Sequence, residues 1–516
     1  MTTSSRTTDF DSTRDYDELP IAPVQVDRTA LMAETIPVTN PARVAEIVGH
    51  CSLATALDVD TAVVAATRAF PEWAALHPRE RADYLIRGAN ALESGTPYRA
   101  ALLTREIGKT SGEALGDAAG AVSLLRYFAS LADELARETD AEMPLSGRAI
   151  VRYLPMGPVA IIAPWNTPIY LTFMAMAPAL LAGNTVVVKP PEEAPLALAD
   201  ALTVLAGVLP PGVIGSVPGL GSVAGNALTG HRSIRKVLFT GSVETGKAVM
   251  RSAATHLAPV SMELGGNDAA VVLDDVVIDS TLLRELAAGV FGLSGQICYN
   301  VKRIYVHESR FDEFVEAFVR TANRIVVGDP QDPATTIGPV TTAAGRNRLA
   351  ALVADCRAVG ANVVEVGVVP AADDFAAGNF VHPAVVTEIP FDHELVVEEQ
   401  FGPIIPILPF SDDEQAISLA NGTEYGLAAS VWSSNRSRAM GIARRLEAGS
   451  VFINVHRVGA SPMSVPFGGM KNSGIGRNHG LASVLACTEP QAIVEFDCPG
   501  NIPGTTHWES LVEEQQ

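Results

Sequence analysis

The chain has 516 residues, 58 acidic against 37 basic, for a formal charge of −21. That length exceeds what one hydrophobic core serves, so at least two domains are expected, and 47% apolar residues is ample to fill them. So acidic a surface repels nucleic acid and anionic membranes, which excludes both as expected partners. It still allows an anionic cofactor at helix N-termini.

The cysteines are Cys51, Cys298, Cys356, Cys487 and Cys498, an odd and scattered set without a C-x-x-C pair. That pattern argues against a disulfide framework and a zinc site, so no metal is expected, and a reducing, cytoplasmic setting follows. Residues 1–35 read as a mobile acidic leader. Their Asp and Glu argue against a transit peptide, and no apolar run is long enough to span a bilayer.

From Asp58, taken as a cap, DVDTAVVAATRAFPEWAAL has helical spacing, and Ala- and Leu-rich helices continue from Glu80 to about Thr139. RAIVRYLPMGPVAIIAPW then reads as extended. Strand-like runs at 159–163, 185–190, 213–219, 236–241 and 260–264 alternate with helices near 172–182, 196–208, 223–229 and 245–256. Such alternation predicts a parallel sheet covered on both faces, with ligands at the carboxyl ends of its strands. A second α/β pattern follows, with strands at 271–275, 303–308, 362–367, 385–389, 430–434 and 451–455, and helices near 279–293, 310–325 and 412–421. QAIVEF (491–496) is a late strand belonging obviously to neither sheet.

Several residues on this frame can do chemistry. Cys298 lies in GLSGQICYN, a loop context that suits a nucleophile, although free cysteines are commonly buried and inert. Glu263 ends a strand before two glycines and can reach into a cleft, or be a solvated strand-end charge. Asn166 in APWNTP can serve an oxyanion or cap the next helix. FTGSVETGK, with Gly241 and Ser242, turns from strand into helix in a geometry suited to phosphate. GLGSVAG, ending at Gly225, is a second such turn, and Lys189 and Glu192 sit at another strand end.

PMGPVAIIAPWNTP, NTVVVKPPEEAP, VLFTGSVETGK, MELGGNDAAVVLDD, GQICYN, EEQFGPIIPI, NGTEYGLAASVWSS, GSVFINVH and PFGGMKNSGIGR occur in this order. In order and spacing the chain resembles the aldehyde dehydrogenase superfamily, of the NAD(P)-dependent, non-acylating type, over about 35–498. The resemblance implies an α/β fold with two doubly wound parallel-sheet domains and a β oligomerisation arm. The NAD-binding domain would be 36–135 and 153–262, the catalytic domain 263–465, and the arm 136–152 and 478–498, with a tail at 499–516. Dimers or tetramers of identical subunits are implied.

The same resemblance assigns roles. Cys298 matches the nucleophile that carries a thiohemiacetal and then a thioester, Asn166 the oxyanion donor, and Glu263 the base for hydrolysis. Coenzyme A-acylating relatives typically lack that glutamate, so a free acid is implied, with an acylating enzyme or a silent NAD-binding relative as alternatives. Lys189 and Glu192 match the adenosine-ribose pair, which favours NAD while leaving NADP possible. Gly241, Ser242 and Trp165 fall to the pyrophosphate side and Glu399 and Phe401 to the nicotinamide side, with Gly225 also counted as cofactor-binding. Thr167, Tyr170, Met174, Ile297, Tyr299 and Arg457 are implied around an aldehyde tunnel. For Arg457 a surface position is the competing reading. The chain departs from the family at Asn478, where many members carry a second glutamate. Glu263 then works alone unless the neighbouring His479 assists, and a surface or interface position is the alternative for that histidine.

Overall fold

The computed structural model describes residues 19–31, 33–141 and 147–496. The first part of the leader, Cys498, the tail and 142–146 of the arm lie outside the described residues.

The larger sheet has eight strands in the order Gly474–Ile475, Val260–Glu263, Lys236–Thr240, Pro158–Ile162, Thr185–Lys189, Ile214–Ser216, Val24–Val26, Thr29–Leu31. The five from Val260–Glu263 to Ile214–Ser216 are mutually parallel, as the alternation of short apolar runs and helices requires. Their interiors, such as Val186, Val187 and Val188, are fully buried because helices cover both faces. The helix Leu196–Val208 has the bounds its periodicity predicts.

The second sheet runs Asn362–Glu365, Ala384–Thr387, Ile404–Phe410, Val301–His307, Asp268–Val272, Ala428–Trp432, Ser450–Ile453. Only Asn362–Glu365 is antiparallel in it, so that run is an edge hairpin partner rather than another parallel unit. Asp268–Val272 begins three residues before the expected start, because Asp268 is itself buried in the ladder.

Other expectations are corrected. The leader is not structureless throughout: Val24–Val26 and Thr29–Leu31 form the antiparallel edge of the large sheet, and Val24 and Val26 are buried there. Runs of three residues carry too little periodicity to be seen in sequence. Thr35–Asn40 and Arg43–Ser52 form a further hairpin that was not anticipated. Thr55, not Asp58, caps the first long helix; Asp58 is the third helical residue, and its carboxylate accepts from Thr55 N at 2.8 Å to close a capping box. The helical stretch ends at Leu135, and Thr139–Ala141 is a strand. The isolated late strand extends over Thr488–Phe496 and pairs antiparallel with Gly147–Pro155 of its own chain, from Thr488 opposite Pro155 to Phe496 opposite Gly147. Among the described residues no helix is long and apolar enough to cross a membrane.

Candidate active site

Pro158–Ile162 lies between Thr185–Lys189 and Lys236–Thr240, so the strand order reverses there and opens a crevice at the carboxyl ends. Trp165 and Asn166 follow the first of these strands, and Gly241 and Ser242 follow Lys236–Thr240. Glu263 ends the next strand, in register with Thr240 and Gly474.

The thiol loop follows the helix Ser280–Phe291. Leu293 and Ser294 hold left-handed backbone angles, φ 51° and 54°, a strained state for side-chain-bearing residues that only surrounding contacts sustain. Leu293 N donates to Glu113 Oε1 at 2.7 Å, and Ser294 Oγ donates to Gly338 O at 2.8 Å. Gln296 Oε1 accepts from Thr341 N at 3.0 Å, and Lys302 Nζ donates to Gly295 O at 2.8 Å. Fastened this way, the loop presents a half-buried Cys298.

Three glycines bring the distant motifs into contact. A Cβ on Gly265 would stand 2.4 Å from Glu399 Oε2, and one on Gly266 would stand 2.4 Å from Cys298 O. A Cβ on Gly295 would meet Gly402 O at 2.2 Å, and its φ of 76° independently favours glycine. MELGGN and GQICYN therefore meet backbone to backbone, as do GQICYN and EEQFGP, while the Glu399 carboxylate of the last closes on Gly265.

Asn166 is buried, and its Nδ2 donates to Gln296 O at 2.9 Å. The helix Pro168–Leu181 has Thr167 at its cap position, without a side-chain cap bond, so capping is not the use of Asn166. One amide hydrogen remains for a ligand beside the thiol loop.

The electrostatics are those of a water-poor site. Burial pushes the Cys298 thiol up, and the carboxylates of Glu399, Glu263 and Asp268 add to this, while Lys302 opposes it. Burial raises Glu263 to about 8, with Arg477 pulling the other way. Burial raises Glu399 to about 7 against the Lys302 ammonium. Glu263 Oε1 accepts from Asn478 Nδ2 at 3.1 Å, so the departure from the family pattern touches the expected base directly.

On the crevice side, the Lys189 ammonium binds the Glu192 carboxylate, whose other oxygen accepts from Gly221 N at 3.3 Å. Burial alone would raise Glu192, but Lys189 holds it below the ordinary carboxylate range. Gly225 closes the turn Gly221–Gly225, and a Cβ on either glycine would meet nothing within 4 Å, which leaves an open cradle. A Cβ on Gly241 would meet the Phe239 ring at 2.6 Å, so the backbone passes closely there. Ser242 caps the helix Val243–Ala254 by accepting from Thr245 N. Trp165 packs edge-on against Phe401, with ring centres 5.5 Å apart, and Glu399 Oε1 accepts from Gly266 N at 3.3 Å.

The expected tunnel residues divide. Tyr170 lies against Gly120 and its hydroxyl reaches Met463 Sδ at 3.7 Å, while Tyr299 packs edge-on against Phe467. Ile297 is buried beside the thiol, and Thr167 starts its helix. Met174 lines the cavity that also contains Glu263. Arg457 is exposed, as in the surface alternative, and pairs with Glu285 at 2.7 Å. His479 is buried, not at the surface, and stacks on Phe467.

Two residues escaped the sequence reading. Lys302 is a buried cation four residues after the thiol, with Nζ 5.1 Å from the Phe401 ring centre. A lysine inside an apolar strand was the available signal. His456 is fully buried; its Nε2 meets Tyr299 O at 3.1 Å and its Nδ1 meets Ser430 Oγ at 2.9 Å, which braces the loop from beneath. Nothing local marks it.

A thiol held by a strained loop, beside a buried amide and a buried carboxyl at the mouth of a doubly wound sheet, defines a cysteine-dependent enzyme of carbonyl chemistry. The aldehyde dehydrogenase family model matches residues 28–493, and the chain belongs to that family. It is 38% identical over 451 residues to betaine aldehyde dehydrogenase of Brucella anthropi, covering 87% of this chain and 91% of that protein. The crystal structure of betaine aldehyde dehydrogenase from Staphylococcus aureus in complex with NAD+ matches with a TM-score of 0.88 at 29% identity, covering 94% of this chain and 96% of that one. PnpE from Pseudomonas sp. WBC-3 matches with a TM-score of 0.88 at 33% identity, covering 94% and 99%.

Proposed function

We propose that this chain oxidises an aldehyde to the free carboxylic acid with NAD, using Cys298 as nucleophile, Asn166 as oxyanion donor and Glu263 as base. The approach of the Cys298 backbone and the Glu399 carboxylate to Gly265–Gly266, just after Glu263, with Asn166 bonded to Gln296 O of the thiol loop, is the observation that carries this reading. The open cradle at Gly221 and Gly225, the Lys189–Glu192 pair and the close backbone turn at Gly241 fit an adenine dinucleotide, and Glu192 favours an unphosphorylated ribose. When bound, NAD supplies the acceptor for the hydride leaving the aldehyde carbon.

Cys298 releases its thiol proton to solvent, and Sγ bonds to the carbonyl carbon. The oxygen becomes an anion between Asn166 Nδ2 and Cys298 N, an arrangement that is typically worth about 3–4 kcal/mol per donor. The acyl group then remains on sulfur as a thioester. Glu263 takes a proton from the water that attacks it, and the acid leaves. Tyr170, Tyr299 and Ile297 form the aldehyde-facing wall, an aromatic and apolar surface.

The test is product analysis with NAD and a panel of aldehydes that includes betaine aldehyde. Stoichiometric NADH and free acid are expected; an acyl-CoA product formed only with coenzyme A would overturn the reading. Thr488–Phe496 is the edge strand of its sheet, with Ile493 and Val494 exposed, which supports identical subunits pairing at that edge.

A further inference from the structure

Behind Glu263 lies a cavity of about 20 Å³ between the helix Pro168–Leu181 and the carboxyl ends of the large sheet, lined among others by Thr172, Ala175, Thr240, Ser261 and Asn478. One water needs roughly 10–15 Å³ on the same measure, together with two or more polar partners. Two such partners are waiting. Glu263 Oε2 and Thr172 Oγ1 are both buried, and neither has a hydrogen-bond partner. Leaving such atoms unmet is costly, and native proteins satisfy nearly all of them.

The remaining oxygen of Glu263 is fixed. Oε1 accepts from Asn478 Nδ2 at 3.1 Å, and it sits 2.9 Å from where a Cβ on Gly468 would stand. Asn478 is itself locked, since its backbone N and O both bond to Phe467. The geometry points to Asn478 as a positioning residue for the hydrolytic step, holding Glu263 so that Oε2 shares a water with Thr172 in this cavity. The inference rests on the reading of Cys298 as an acylated nucleophile and of Glu263 as its hydrolytic base.

In that step the attacking water's oxygen bonds to the acyl carbon and its proton goes to Glu263. The carbon–sulfur bond breaks, its electron pair returning to Sγ. Glu263 returns to its basic form by releasing that proton to bulk solvent, while the cavity water keeps Oε2 hydrogen-bonded. Asn478 is an amide and holds no exchangeable charge, so it orients the carboxyl without replacing it.

The ester p-nitrophenyl acetate tests this on the full chain without NAD. It acetylates a reactive thiol, and after removal of excess ester the loss of the acetyl group from Cys298 is followed by intact mass. With Asn478→Leu the half-life of the adduct is expected to lengthen about tenfold, the effect of roughly one hydrogen bond to a charged group, and with Thr172→Val about threefold. The rate of acetylation should stay within about twofold in both. In a Glu263→Gln background neither substitution should slow the decay further, because both act through that carboxyl. Unchanged decay in both folded variants, or equal slowing in the Glu263→Gln background, overturns the inference. If Asn478→Leu fails to fold, Thr172→Val decides alone. A parent protein that forms no acetyl adduct on Cys298 overturns the functional reading instead.

Discussion

Asn166 donates from Nδ2 to the backbone carbonyl of Gln296, two residues before the thiol and 130 residues away in sequence. The bond ties the end of one sheet to the loop of the other, and under the proposed mechanism it also holds the amide for the oxyanion. Replacing Asn166 by Ala removes the donor and unties the loop. The expected result is a fall in kcat of about 100- to 1000-fold, with NAD affinity by calorimetry nearly unchanged. A variant retaining more than half of its activity would show that the amide is only structural.

Glu263 should govern the release of acid. Its pKa of about 8 lies above the usual carboxylate range, so its basic form grows as pH rises through about 8. Decay of an acyl adduct on Cys298 should therefore accelerate over that window in the parent. In Glu263→Gln it should be slow and flat. A parallel pH profile in the two proteins would remove Glu263 from the step.

Burial, with three carboxylates adding to it, favours the protonated thiol, and Lys302 opposes them. Lys302→Met should lift the thiol still higher, so alkylation by iodoacetamide near neutral pH should slow at least severalfold, with mass spectrometry locating the adduct on Cys298. Because the thiolate grows with pH, the difference from the parent should narrow at alkaline pH. Equal labelling rates throughout would refute the role of the buried cation.

Stability should fall as the solution becomes alkaline. Glu106 and Glu263 are raised to about 8 and Glu399 to about 7, in each case mainly by burial. From about pH 4.5 the unfolded chain has already released protons that the folded chain keeps, so these groups lower the unfolding free energy as pH rises, until the folded carboxyls ionise at about 7 to 8. His256 and His479, both lowered by burial, act in the opposite sense below about pH 6.5, so the decline above pH 7 is left to the carboxyls. A lower Tm at about pH 9 than at pH 7 is expected, with a smaller drop in Glu263→Gln; a rising Tm would contradict the assignment.

Much of this was legible before any coordinates. The five parallel strands and the helix Leu196–Val208 followed from periodicity, because each depends on neighbours only a few residues away. The motif residues were named by resemblance, and the contacts among them, such as Asn166 Nδ2 to Gln296 O, became visible only in the fold. What escaped the sequence was decided at long range. Val24–Val26 is a strand because Thr29–Leu31 folds back on it and Ile214–Ser216 offers the pair an edge, and His456 braces the thiol loop because Tyr299 O lies within its reach.

Amino-acid order alone singled out candidate atoms: one thiol in a glycine-containing loop, one carboxyl at a strand end, one amide after another strand. Tertiary structure decided how they are aimed. Gly265 and Gly266 are ordinary turn glycines until Glu399 and Cys298 press against them, and Asn478 is a simple substitution until its amide meets Glu263. The physical reason is that propensity acts between near neighbours, whereas burial, proton affinity and close backbone approach are set by whichever distant segment packs alongside.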